Sequence, residues 1–225
     1  MKPAPCVLGV ADHAGWAHVV CVAARDSIPS IILRRRITLI DPGLPTLPYH
    51  HETIGMRVDE ANALIARVRR SIAACTSKAI NLIVNELAPA YAPVALAIRE
   101  PPFPELPESV EGVRLSYQLQ CAADGMMYQF ALCRAARDLG LQVVQCRRGE
   151  EFARAAGQLE VHRRDVESFV SSRGRPTGPP WTEEHRRAYA AAIAELAVRS
   201  PRRHRIHIPG AARSISPQPR RARGR

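Results

Sequence analysis

No apolar run in these 225 residues approaches the ~18 that a membrane-spanning helix needs. The six cysteines, Cys6, Cys21, Cys75, Cys121, Cys133 and Cys146, lie 12 to 54 residues apart and form no Cys-x-x-Cys pair. That spacing argues against a zinc site, and their apolar neighbours suit reduced thiols buried as small hydrophobes. The P-loop, G-x-S-x-G and strand-to-helix G-x-G-x-x-G patterns are all missing. No internal repeat is found. Aromatics make up only 5% of the chain, yet 46% hydrophobic residues is too apolar for general disorder. The N-terminus offers Lys2 and a short apolar stretch broken by Asp12, a poor signal peptide. The expectation is a soluble, cytoplasmic protein with no membrane partner.

Acids are absent from Arg199 to the end, where nine arginines stand. The formal charge of +11 therefore leaves only +2 for residues 1–198. Pro201, Pro209, Pro217 and Pro219, with Gly210 and Gly224, forbid a long helix there, so 199–225 reads as a disordered arginine-rich tail behind one domain over 1–198. Such an arm binds phosphate by counterion release without reading sequence, which makes Arg202, Arg203, Arg205, Arg220 and Arg221 candidate nucleic-acid contacts. The plainer alternative is a solubilising tail.

Three β-type segments come first. Cys6–Ala11 ends in Asp12, Ala17–Ala24 follows a short link containing Gly15, and Ile31–Ile40 carries Arg34, Arg35 and Arg36 in its middle. Asp41-Pro-Gly-Leu-Pro45 closes the third. Apolar positions 61, 64, 65, 68 and 72 predict an amphipathic helix over 58–74, and Thr76 or Ser77 caps a second with Ile80, Ile83, Val84 and Leu87 on one face. Val94–Ile98 fits a buried central strand that runs into Arg99-Glu100-Pro101-Pro102. A long helix is expected over 108–139, ended by Gly140, then a strand over 141–146. A helix near 160–171 and a last one capped by Thr182, with Tyr189, Ala192, Ile193 and Leu196 on one stripe, complete the order β-β-β-α-α-β-α-β-α-α. That order predicts an α/β fold with a mixed five-stranded sheet, three antiparallel strands followed by helix-alternating ones, flanked by helices.

With VLGVAD ending in Asp12, AIREPP placing Glu100 before a proline, and WTEEHRRAY opening the last helix, residues 5–198 resemble the ribonuclease H-like superfamily, specifically its RuvC-type resolvase branch. The resemblance implies a nuclease acting on DNA or structured nucleic acid, dependent on Mg²⁺ or Mn²⁺. Its metal ligands would be Asp12, Glu100 and His185, with Glu184 as a further catalytic acid. Two-metal phosphodiester hydrolysis needs oxygen ligands around cations roughly 4 Å apart, and neighbouring strand ends can bring distant acids together. Two departures stand out. The family's glycine-rich turn after the first aspartate is replaced by His13-Ala14-Gly15-Trp16, and the Asp-x-x-Asp of its last helix is absent. They favour a second hypothesis, a catalytically inactive ribonuclease H-like module that binds nucleic acid or a protein partner. A third, the sugar-kinase/actin-like ATPase branch, needs duplicated domains for which this chain is too short. A homodimer is left open.

Other residues stay in contention. Glu86 rivals Glu100 as the second acid if 82–86 is a strand, although the spacing at 80, 83, 84 and 87 is helical. Tyr49-His50-His51-Glu52 looks metal-binding, but adjacent side chains in an extended segment point apart, which favours plain loop contacts. Trp16, His13 and His18 are placed at the Asp12 end of the sheet. Gly125, inside the long helix, is expected to allow close packing, and Arg34–Arg36 to form an exposed strand face.

Overall fold

The computed structural model describes residues 2–103, 105–173, 178–200 and 205–211. Its centre is a five-stranded sheet in the order β3-β2-β1-β4-β5, formed by β1 (Ala4–His13), β2 (Trp16–Arg25), β3 (Ile28–Thr38), β4 (Tyr91–Arg99) and β5 (Gln142–Cys146). The first three strands are antiparallel and joined by tight turns, while β4 and β5 run parallel to β1. Gly15 sits in the first turn at φ +85°, where a Cβ would also stand 2.8 Å from Thr46 Cγ2, so only glycine closes it. Parallel neighbours need crossovers, and the helices supply them.

One face of the sheet is covered by α1 (Val58–Leu87) and α3 (Tyr117–Asp138), whose apolar stripes meet Leu8, Val10, Leu96 and Ile98. The other is covered by α4 (Glu151–Leu159), α5 (Arg163–Ser172) and α6 (Glu183–Arg199), packed on Val7, Val20, Val22, Ala95 and Ala97. The short α2 (Val110–Arg114) precedes α3. Among the described residues, no helix is long and apolar enough to cross a membrane.

The contact that sets up the site is that of α6 on β1. A Cβ on Gly9 would lie 1.9 Å from the carbonyl oxygen of Ala188 and 3.1 Å from Ala192 Cβ. Glycine in β1 and alanines in α6 therefore let two backbones meet. This close approach fixes the first turn of α6, with Glu184 and His185, over the end of β1.

Several boundaries differ from expectation. The helices anticipated over 58–74 and 76–87 are one 30-residue helix, because Ala74-Cys75-Thr76-Ser77 holds neither Gly nor Pro and Thr76 is buried against the core. The stretch 108–139 breaks at Leu115 and Ser116 into α2 and α3. Helix α4 was not anticipated. Arg199 belongs to α6, and 205–211 lies against the body instead of hanging free. Ile206 and Ile208 are buried in the second core, His207 N–H donates to the Ser27 carbonyl (2.9 Å), and Arg205 pairs with Glu160 at 2.6 Å. Counting prolines and arginines hides those two isoleucines. Arg202, Arg203, Arg220 and Arg221 lie outside the described residues.

Candidate functional site

Asp12 ends the buried row of β1, its side chain 1% exposed. The parallel register that sets Gly9 beside Ala97 brings Arg99, the last residue of β4, alongside it. Arg99 Nη2 donates to Asp12 Oδ2 at 2.9 Å, and the same nitrogen lies 3.4 Å from the Asp12 carbonyl oxygen. Asp12 Oδ1 has no hydrogen-bond partner.

Glu100 takes a different course from the one expected. It lies one residue past β4, its backbone N–H donating to the Cys146 carbonyl at 2.8 Å. Its side chain is 45% exposed and 3.8 Å from Arg147 Nε. The backbone bond to β5 carries Glu100 away from Asp12 to a solvated ion pair, which costs little. The rival, Glu86, lies on α1 and pairs with Arg35 at 2.6 Å, in keeping with the helical spacing.

A cavity does form around Asp12. Charged residues on its wall are Asp12, Arg99, Arg148, Glu151, Glu184 and Arg187, three acids against three guanidinium groups. Of the expected set it gathers Asp12 and Glu184 but not Glu100 or His185. Sequence reading missed Arg99, Arg148, Glu151 and Arg187. Arg99 was visible as the neighbour of Glu100, but Glu151 depended on the unforeseen α4. Glu184 also lies 3.9 Å from His13 Nε2.

His185 is 3% exposed and acts as a cap. Its Nδ1 accepts from the Thr182 backbone N–H at 3.3 Å and lies 2.8 Å from Thr182 Oγ1, so the histidine stands where a capping box has Glu or Gln. Burial, with His18 and Arg34 nearby, pushes its pKa down to about 4. The imidazole is therefore neutral at pH 7, its Nδ1 engaged by the helix end.

Rings and guanidinium groups extend from there along the sheet edge. His185 lies 3.8 Å from His18 and 5.6 Å from Trp181 between centroids. Trp16 stacks on His13 at 3.9 Å, and Arg36 lies 4.5 Å over Trp16. Burial lowers the pKa of both His13 and His18. Trp16, His13 and His18 thus do gather at the Asp12 end of the sheet.

The Tyr49–Glu52 segment forms a π-helical turn over Pro48–Glu52, and its histidines stack on each other at 4.0 Å. It is held by fully buried Asp124, which accepts the backbone N–H groups of Tyr49 and His50, both at 3.0 Å. Burial raises the Asp124 pKa to about 6 against those two bonds. This is a structural clasp of loop to helix.

Among the described residues, no three His, Cys, Asp or Glu side chains stand together in a way that could hold a metal ion. The donor set expected of Asp12, Glu100 and His185 does not fit a divalent-metal centre. The Asp12 carboxylate is neutralised by Arg99, Glu100 faces solvent, and His185 caps a helix.

No family model matches the sequence, and no curated protein matches it. Among solved structures, Thermus thermophilus RuvC aligns at 12% identity over 85% of this chain and 93% of its own, with a TM-score of 0.51. T. thermophilus RuvC in complex with Holliday junction substrate aligns at 12% identity over 85% and 92%, with a TM-score of 0.49. A Ppx/GppA family member from Aquifex aeolicus aligns at 16% identity over 69% and 40%, with a TM-score of 0.34. The fold is thus ribonuclease H-like and similar to that of RuvC, as the element order implied. Roles of single residues do not transfer at 12% identity.

Proposed function

We propose that this chain is a nucleic-acid-binding ribonuclease H-like module rather than a metal-dependent nuclease, working in a reducing compartment such as the cytoplasm. The observation that carries the reading is the Asp12–Arg99 pair. A guanidinium bonded to the buried acid at the end of β1 supplies the positive charge that a hydrolase of this fold would take from a metal. Binding is supported by the charge of +11, by Arg36, Arg147 and Arg148 exposed at this end of the sheet, and by the nine arginines from 199 onward. The similarity to a RuvC structure that holds a Holliday junction agrees with it at the level of fold. All six cysteines are free, as a reducing compartment would keep them.

The hydrolytic alternative, with Asp12, Glu100, Glu184 and His185 around Mg²⁺ or Mn²⁺, has in its favour the partnerless Asp12 Oδ1 and Glu151 Oε2 in a cavity shared with Glu184. The two readings differ in the requirement for metal. Fluorescence anisotropy of the full chain with labelled duplex and four-way-junction DNA, in EDTA and across a salt series, followed by addition of Mg²⁺ or Mn²⁺ and sizing of the DNA, separates them: binding without cleavage fits the module, and cleavage on adding the ion fits the hydrolase. Binding in EDTA with log K falling linearly against log salt is the expected result. Absence of binding at low salt would overturn the proposal.

A further inference from the structure

A second cavity, about 310 Å³ in volume, adjoins the first and shares Arg99 and Arg148 with it. Pro102 and Phe103 from the loop after β4 form part of its wall, Gly125 and Gln129 of α3 another part, and Glu100 also lines it, its carboxylate 3.8 Å from Arg147 Nε. This is the size of a small-ligand pocket.

Three features show that the space is kept open and chemically incomplete. Gly125 is interior to α3, an unfavourable place for glycine, and nothing lies within 4 Å of where its Cβ would be. Close packing therefore does not explain the residue; a side chain there would fill the cavity. Gln129 is 2% exposed, and its Oε1 has no hydrogen-bond partner. A buried carbonyl oxygen of this kind needs an N–H donor, and no protein group supplies one. On the side shared with Asp12, Arg99 Nε is likewise buried without a partner, and Arg148 makes no ion pair among the described residues.

The complementary ligand has a flat body, an N–H edge and an anionic group. We propose that the cavity takes one unpaired nucleotide of a bound strand. Its base lies between Phe103 and Gly125 with an amino or imino N–H on Gln129, and its phosphate meets Arg99 and Arg148. Stacking against an aromatic ring is sequence-tolerant, because every base has a π-face. This inference rests on the nucleic-acid-binding reading above and gives it a preference for single-stranded ends or gaps over continuous duplex.

The test is anisotropy titration of the full chain with a blunt duplex, the same duplex bearing a short single-stranded overhang, and the overhang made abasic, all with matched phosphate number. The overhang should bind about tenfold more tightly than the blunt duplex. That advantage should vanish for the abasic strand, and also for Gly125→Leu and Gln129→Leu, while blunt-duplex binding stays unchanged. An overhang that gains nothing, an abasic strand that keeps the gain, or a gain that survives Gly125→Leu would each overturn the nucleotide pocket. If the blunt duplex binds in those cases, the broader reading stands; if no nucleic acid binds, both fall. The abasic strand decides the matter even if a variant fails to fold.

Discussion

Arg99→Met isolates the pair on which the functional reading turns. It removes the guanidinium bonded to Asp12 and keeps an unbranched stem of similar length. The Asp12 side chain is 1% exposed and that of Arg99 32%. Removing one partner of a buried ion pair costs ~3–5 kcal/mol, because the remaining charge is left uncompensated. The partial exposure of Arg99 puts this pair at the lower end, about 3 kcal/mol. In a chain of this length that is a fall in Tm of roughly 6–12 °C. Asp12→Asn should cost less, about 1 kcal/mol, since a solvated Arg99 can tolerate losing the carboxylate. The double variant should then be more stable than Arg99→Met alone, the non-additivity expected of a direct contact. Urea and thermal denaturation of the four proteins measure this directly. If Arg99→Met melts with the wild type, or the double variant is no better than Arg99→Met, then Arg99 is not what satisfies Asp12.

The contact of α6 on β1 should be intolerant of a single methyl group. Gly9→Ala places a Cβ 1.9 Å from the Ala188 carbonyl oxygen, backbone against backbone, and is expected to cost 3 kcal/mol or more, roughly, or to abolish folding. Circular dichroism melting checks it, and a wild-type Tm would contradict the packing described. His185 should make the fold acid-labile. Its pKa is about 4 in the folded protein against 6.5 as a free side chain, so the unfolded chain binds more protons between those values. The resulting stability is present above about pH 6.5 and lost as pH falls toward 4, by up to ~3 kcal/mol. His185→Gln keeps a capping-box residue and should flatten that loss in a pH series of denaturation curves; an unchanged slope would assign the acid lability elsewhere.

Periodicity and punctuation carried most of the architecture. Gly15 and the paired apolar runs announced the first hairpin, and the 3–4 spacing through 58–87 announced α1 in all but its continuity. Asp12 at the end of β1 and Glu184 in the first turn of α6 were likewise readable, since a strand end and a helix start are both marked locally. The second acid was not. Whether Arg99 or Glu100 faces Asp12 depends on how β4 registers against β1 and on where the β5 carbonyls fall, both long-range facts. The role of His185 was hidden in the same way. Its place on the inner stripe was correct, but the partner of its Nδ1 is Thr182, three residues earlier, a capping role that metal-ligand reasoning passed over. Gly125 was legible as an anomaly and wrongly explained, because a missing side chain marks a close neighbour and an empty space alike. The tail misled through composition: nine arginines outweighed Ile206 and Ile208, which alone decide whether 205–211 packs.

The most direct test of the account is a calorimetric titration of Mn²⁺ into the full chain bound to junction DNA, for wild type and Asp12→Asn, with the DNA recovered and sized afterwards. If Arg99 fills the place of a metal, the two proteins give the same heats and the DNA is recovered intact. Mn²⁺ binding that depends on Asp12, or cleavage that Asp12→Asn abolishes, would contradict that account and return the chain to the metal-dependent nucleases.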